Sequence, residues 1–236
     1  MFEVRNISFS YSRPVLRDVS FVASPGETVS ILGANGAGKT TLFRILATLT
    51  VPDSGMVLSD GQNAFTAPLK YRRQLGYLPE RTALYEDMTV KEYLSYRANL
   101  KGEPSKRIRR RIGEAAEICK IADGQMRMVI RDLSAGQKKR VALADALLLR
   151  PRVLLLDDFL AGLDSEMRKS AGEILSGAAA FSCVIVTGHE IEDLMKWSTR
   201  FLILRDGVIS ASISAQGTDP TELRARIDDA LTGGAE

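Results

Sequence analysis

The sequence predicts an α/β fold, with a mostly parallel core sheet flanked by helices, an antiparallel β subdomain and a helical subdomain. Three observations lead there. Short, fully apolar runs such as "ETVSILGA" and "VLLL" alternate with segments of helical period. Strands that are apolar on both faces belong to a parallel sheet covered on both sides. The N-terminal segments and "RFLILRDGVISASIS" read as antiparallel strands, the latter folding back at Asp206-Gly207. Residues 82–150 carry three helical patterns in succession.

In chain order, residues 2–10 and 15–23 alternate like strands, and the turn Ser24-Pro25-Gly26 leads into the apolar strand "ETVSILGA". "TLFRILATL" has helical spacing at Leu42, Ile45, Leu46 and Leu49, which predicts that all four share one face, and Pro52-Asp53-Ser54-Gly55 ends it. A short strand at 56–59 and a turn at Asp60-Gly61 follow. Thr89 and Glu92 are spaced as a capping box at the start of "TVKEYLSYRANLKG", which stops at Gly102. Pro104 suits the first turn of a helix over 104–120. A third helix runs from Ser134 to Leu149, and its apolar second half predicts burial. The last third alternates: strand 153–156, helix 165–178, strand "FSCVIVTGH", helix 190–197, the hairpin, and a terminal helix over 220–231. The whole chain reads as one domain. Residues 1–81 and 151–236 supply the core and the antiparallel strands, and residues 82–150 the helical subdomain.

The 236 residues are 45% apolar and 26% charged, enough for a sizeable core. A net charge of +3 is too small to argue for nucleic acid, and none is expected as a partner. Cys119 and Cys183 fit no metal or redox spacing and read as core thiols of a reducing compartment. "MFEVRNISFSYS" lacks the basic start and apolar region of a signal peptide. No apolar run reaches the ~18–20 residues of a membrane helix, so a role at a membrane requires a partner there. The basic run "KRIRRR", residues 106–111, reads as a solvated helix face or a partner contact.

"GANGAGKT" fits G-x-x-x-x-G-K-[ST] through Gly33, Gly38, Lys39 and Thr40, with an apolar strand before it and a periodic helix after it. Glycines let successive N–H groups curl toward one anion, and the helix adds its positive end. The expected nucleotide contacts are Gly33, Asn35, Gly36, Ala37, Gly38, Lys39, Thr40 and Thr41, with Lys39 reaching the outer phosphates and Thr40 offering a hydroxyl to Mg²⁺. In "VLLLDDFLAGLD" an apolar strand runs into Asp157 and Asp158. Asp157 then takes the strand-end position that holds the Mg²⁺ shell in P-loop nucleoside triphosphatases.

These residues resemble the ATP-binding cassette (ABC) family, and the resemblance covers nearly the whole chain. "LSAGQ", residues 133–137, is similar to the family signature. "AGLD", ending at Asp164, is similar to the loop at the family's dimer interface. "TGHE" sets His189 at the switch histidine, "GYLPE" sets Glu80 at the Q-loop, and Tyr11 matches the aromatic that stacks on adenine. The resemblance implies a head-to-tail dimer in which Ser134, Ala135, Gly136 and Gln137 of one subunit cap the nucleotide on the other's P-loop. It also implies ATP and Mg²⁺ as cofactors, with Thr40, Glu80 and Asp157 near the metal, and Asp158, His189 and Lys39 as the catalytic set. A second cassette, identical or different, and an integral-membrane permease are the implied partners, with the chain peripheral on the inner membrane face. The segment "LYEDMTVKEYLSYRANLKG" resembles the exporter subgroup with ABC-2-type permeases.

Several positions depart from the family. Asp158 stands where glutamate is usual, Phe159 where proline is usual, Glu80 where glutamine is usual, and Asp145 where many relatives have arginine. An aspartate falls short of a glutamate's reach by about one C–C bond, ~1.5 Å. A misplacement on the order of 1 Å costs about 10²-fold in rate, so slow hydrolysis is expected. Two other classes remain open: a soluble, non-transport ABC ATPase acting in DNA repair or translation, and an ATP-dependent dimerisation switch with negligible turnover. The single P-loop and the lack of a cysteine cluster or heptad tract weigh against the first.

Overall fold

The structure, a computed structural model, describes residues 1–161, 163 and 165–233. Its strands are β1 (Phe2–Ser10), β2 (Pro14–Ala23), β3 (Thr28–Leu32), β4 (Ser54–Ser59), β5 (Gln62–Asn63), β6 (Leu75–Leu78), β7 (Val153–Leu156), β8 (Cys183–Thr187), β9 (Arg200–Arg205) and β10 (Val208–Ser214). Its helices are α1 (Lys39–Leu46), α2 (Pro68–Arg72), α3 (Val90–Leu100), α4 (Ser105–Ile118), α5 (Ala135–Leu147), α6 (Ser165–Ala179), α7 (Ile191–Met195) and α8 (Pro220–Thr232).

The apolar runs form the centre of a six-stranded sheet of order β10-β9-β3-β8-β7-β6, in which only the β9–β10 pairing is antiparallel. Alternation along these strands divides their side chains between two cores. Val29, Ile31, Val153, Leu155, Cys183, Ile185, Leu202 and Leu204 pack on the side of α1 and the antiparallel strands. Leu154, Leu156, Val184, Val186, Phe201 and Ile203 pack on the side of α3, α4, α5 and α6. Each such side chain stabilises the fold by roughly 1.5–3 kcal/mol when fully buried. A run such as Val153–Leu156 is therefore apolar throughout because both of its faces are covered. The second sheet, β2-β1-β4-β5, is wholly antiparallel.

The helix expected from "TLFRILATL" begins two residues earlier and ends at Leu46, so Leu49 lies past its end and is 58% exposed. Thr48, at φ 55°, takes the left-handed conformation that breaks the repeat before Leu49 can join the buried face. The segment 190–197 is helical only over Ile191–Met195. The late hairpin is antiparallel internally, but β9 also pairs parallel with β3 and so belongs to the core sheet. Among the described residues, β5, the one-turn α2 and the strand β6 have no signal in the sequence.

The helices α3, α4 and α5 pack together over one face of the sheet. Thr89 and Glu92 cap α3 reciprocally, as their spacing requires. Asp145, buried on α5, accepts from Arg97 Nε at 2.9 Å, Lys101 Nζ at 2.7 Å and Tyr93 Oη at 3.2 Å. An acid at this position thus has two donors on α3 and a third just past its end, which compensates its burial. On α4, Ile108 and Ile112 turn inward while Lys106, Arg107, Arg109 and Arg110 face solvent. Among the described residues no helix is long and apolar enough to cross a membrane.

Candidate functional site

The parallel strands β3, β8, β7 and β6 are neighbours, so their C-terminal ends lie along one edge of the sheet. Open α/β sheets bind ligands at that edge. Beyond β3 comes the loop 33–38, at the end of β8 Thr187 followed by Gly188 and His189, beyond β7 Asp157 and Asp158, and beyond β6 Glu80. Together they enclose a cleft of about 330 Å³ lined by Asn35, Gly36, Gly38, Lys39, Thr40, Thr41, Glu80, Asp157, Asp158, Thr187, Gly188 and His189, with Val15 from β2 at its rim.

The loop is shaped by its glycines. A Cβ on Gly33 would lie 2.2 Å from the Leu204 carbonyl oxygen, so the chain can pass β9 only as glycine. Gly38, at φ 105°, caps α1 from the left-handed region. Lys39 Nζ donates to the carbonyls of Gly33 at 2.7 Å and Ala34 at 3.0 Å, drawing the loop into a ring around its own ammonium. Burial lowers the Lys39 pKa, opposed by the charges of Asp158 and Asp157. Gly33 and the buried Ala37 shape the loop from behind and do not line the cleft.

The two aspartates have different backbones. Asp157 directly follows β7, is 3% exposed, and its N–H donates to the Leu78 carbonyl at 2.9 Å. Asp158 has left the strand for a left-handed conformation at φ 48°, which Asp tolerates better than most side chains. One hydroxyl serves both. Thr187 Oγ1 donates to Asp157 Oδ1 at 2.9 Å and accepts the Asp158 N–H at 2.8 Å. Burial raises the Asp157 carboxyl above the usual carboxylate range, against the Thr187 bond. Burial also raises Asp158, with His189 and Lys139 opposing and Glu190 and Glu80 adding to the rise. Asp158 Oδ1 is buried without a hydrogen-bond partner. A buried oxygen without a protein donor marks where a water or ligand would bond. The hydroxyl of Thr40 and the carboxylates of Asp157 and Glu80, all on this cleft, are hard oxygen donors of the kind Mg²⁺ takes beside phosphates.

A family model for "ABC transporter" matches residues 16–161, more than half of the chain. The chain belongs to the ABC transporter family. It is an ATP-binding cassette of that family, similar to its ATPase subunits. The spermidine/putrescine import ATP-binding protein PotA of Haemophilus influenzae is 33% identical over 94% of this chain and 59% of its own length. The sulfate/thiosulfate import ATP-binding protein CysA of Caulobacter vibrioides is 36% identical over 87% of this chain and 62% of its own. The chain thus spans about three-fifths of the length of these curated relatives. A bacterial ABC transporter cassette solved as a dimer superposes with a TM-score of 0.81, at 25% identity, over 92% of this chain and 100% of that one.

Among the described residues, the remaining family positions do not line this cleft. Tyr11 sits on the turn between β1 and β2, 60% exposed, its ring edge-on to Phe9 at 4.8 Å and outside the cleft lining. Ser134, Ala135, Gly136 and Gln137 open α5. Ser134 Oγ accepts the Gln137 N–H at 3.2 Å, and Gln137 Oε1 accepts the Ser134 N–H at 2.9 Å. This is a reciprocal cap at the helix start, away from this chain's own cleft. Asp164 lies outside the described residues. Thr187, Lys139, Arg168 and Glu190 escaped the sequence reading. Only Glu190 had a signal, its place directly after His189.

Proposed function

We propose that the chain is the ATP-binding and ATP-hydrolysing subunit of a membrane transporter, closing head-to-tail with a second cassette around ATP and driving a separate permease. The observation that carries this reading is the cleft, where a phosphate loop, two adjacent aspartates, a histidine and Glu80 from four separate segments face one space.

Loop N–H groups and the positive end of α1 receive the phosphates, and Lys39 shifts from the loop carbonyls to the outer ones. Thr40, Asp157 and Glu80 would hold Mg²⁺, which when bound neutralises charge on the phosphates. Asp158 accepts the proton of the attacking water. Its burial-raised pKa suits a base, and its short side chain limits the reach. His189 contacts the terminal phosphate, and Tyr11 offers its exposed face to adenine. A second chain supplies Ser134 to Gln137 as the lid, and Asp164 belongs to the same interface.

The permease would dock on the helical subdomain, residues 82–150. A groove of about 820 Å³ there, lined by Met88, Lys91, Ser95, Tyr96, Met126 and Arg127 among others, has the size and mixed character for a permease helix. The chain would then work at the inner membrane face through its permease. The exporter reading rests on the segment 84–102 alone. The relatives' names say import and differ in cargo, so direction and cargo are assigned to the permease. The dimerisation-switch reading is favoured by one observation, Asp158 in the glutamate position.

Steady-state phosphate release separates the two readings. The wild type is expected to turn over ATP slowly, Lys39→Ala to be inactive, and Asp158→Asn to lose about 10²-fold in kcat, the usual share of a general base. Asp158→Asn matching the wild type would remove Asp158 as the base. Nucleotide-dependent dimers without phosphate release would favour the switch.

A further inference from the structure

Outside the residues assigned so far, one ammonium reaches the turn that carries Asp158. Lys139 lies on α5, two residues past the signature, and its side chain is half-buried. Its Nζ donates to the backbone carbonyl of Asp158 at 3.3 Å and of Ala161 at 3.0 Å. The Asp158 carbonyl also accepts the Ala161 N–H at 3.2 Å, so the ammonium closes a turn from outside. The Phe159 N–H, inside that turn, donates to the Thr187 carbonyl at 3.3 Å. The charged groups acting on this ammonium are the carboxylates of Asp158, Glu190 and Glu80. Arg168 of α6 grips the same segment from the other side, at the Leu160 and Leu163 carbonyls, both 3.4 Å away. Its guanidinium also binds Glu190 at 3.0 Å and Asp193 at 3.1 Å, next to His189.

We infer that Lys139 is a positioning residue for hydrolysis, its ammonium binding the signature helix to the turn that presents Asp158 within one chain. The physical argument rests on the backbone of Asp158. Aspartate tolerates the left-handed region better than most residues, but the conformation is still sparsely populated, and bonds at both ends of Asp158 hold it there. Thr187 fixes its N–H and Lys139 its C=O, so the backbone from which the carboxylate projects is held at both ends. The lysine sits on the helix whose first turn is the proposed lid over a sister's nucleotide. Displacing α5 therefore displaces the Asp158 carbonyl, and lid and base move as one unit. This inference rests on the proposed ATPase reading, and two kinds of measurement keep their failures apart.

The first needs no turnover. Amide hydrogen exchange of the nucleotide-free full chain is followed at Phe159 and Ala161. Lys139→Met is expected to speed exchange there about tenfold with the melting temperature unchanged, and Lys139→Arg to restore slow exchange, because a guanidinium also reaches two carbonyls. Lys139→Gln, shorter and uncharged, serves if the methionine variant does not fold, with the same expected rise. Unchanged exchange in both uncharged variants overturns the tether. The second measurement is steady-state ATP hydrolysis. Lys139→Met is expected to lower kcat about tenfold with KM for ATP within twofold, and Lys139→Arg to recover most of it. A kcat within twofold of wild type, or a KM that moves as far as kcat, overturns the positioning role. Adding Ser134→Ala to Lys139→Met is expected to cost less than the product of the single losses, and a full product would disconnect lid from base. A wild type without turnover would defeat the ATPase reading alone, and the exchange result would still judge the tether.

Discussion

At the scale of single residues, the hydroxyl of Thr187 does what neither aspartate can do for itself. It bonds the Asp157 carboxylate and the Asp158 amide at once. Thr187→Val keeps the shape and leaves both groups short of a partner, which costs about 1–3 kcal/mol for a buried polar group. The expected outcome is a lower melting temperature and a kcat reduced about tenfold, with Thr187→Ser close to wild type on both. Lone threonines at strand ends are common, so nothing in "CVIVTGH" marked this one, whereas the glycine–lysine spacing of "GANGAGKT" was legible without a structure. The cysteines behave as their spacing suggested: both are free and buried. Burial pushes the Cys183 thiol up to about 12 and Cys119 higher in the same direction. At pH 8 both thiols stay protonated in the folded chain. Neither thiol is therefore expected to react with a disulfide reagent at pH 8 until the chain is unfolded. The sign of the linked stability is also set. Above about pH 8.5 the folded chain retains protons that the unfolded chain has lost, so both thiols reduce stability as pH rises.

At the scale of elements, α3 and α5 start with the same reciprocal cap but differ in what the cap faces. Thr89 is part of the isolated bridge with Val129 and serves the helix. Ser134 caps a helix end proposed to cover a second chain's nucleotide. Replacing either by alanine is expected to cost about 1 kcal/mol of stability. Thr89→Ala should leave kcat unchanged, while Ser134→Ala should lower it at least tenfold; thermal melts and phosphate release on the same samples distinguish them. Caps and apolar periods are local, which is why α3, α4, α5, α8 and the strands β1, β2, β3, β7 and β8 could be read from the sequence. The strand β6 could not. "LGYL" is four residues long, and only its pairing with β7 makes it a strand. The one-turn α2 is likewise held by tertiary bonds, its Tyr71 hydroxyl on the Leu46 carbonyl at 2.7 Å and its Arg72 on Thr48.

At the scale of the whole molecule, the cassette carries the cleft proposed for nucleotide and, apart from it, a second helix end suited to phosphate. A monomer leaves the second unused, and a two-fold pairing uses both. With Mg²⁺ and ATP, Asp158→Asn is expected to sediment as a dimer and Lys39→Ala to stay monomeric; a monomeric Asp158→Asn at saturating ATP would contradict the sandwich. The sequence by itself determined the glycine–lysine loop, the strand that runs into Asp157, the helix caps and the α/β class, because each depends on neighbours within a few residues. Only the tertiary structure decided that β3, β8, β7 and β6 stand side by side and deliver their C-terminal loops to one edge. The left-handed turn at Asp158, the Thr187 bridge and the Lys139 tether follow from that order. They join residues 19 to 30 positions apart, and contacts at that distance are set by how the sheet is assembled.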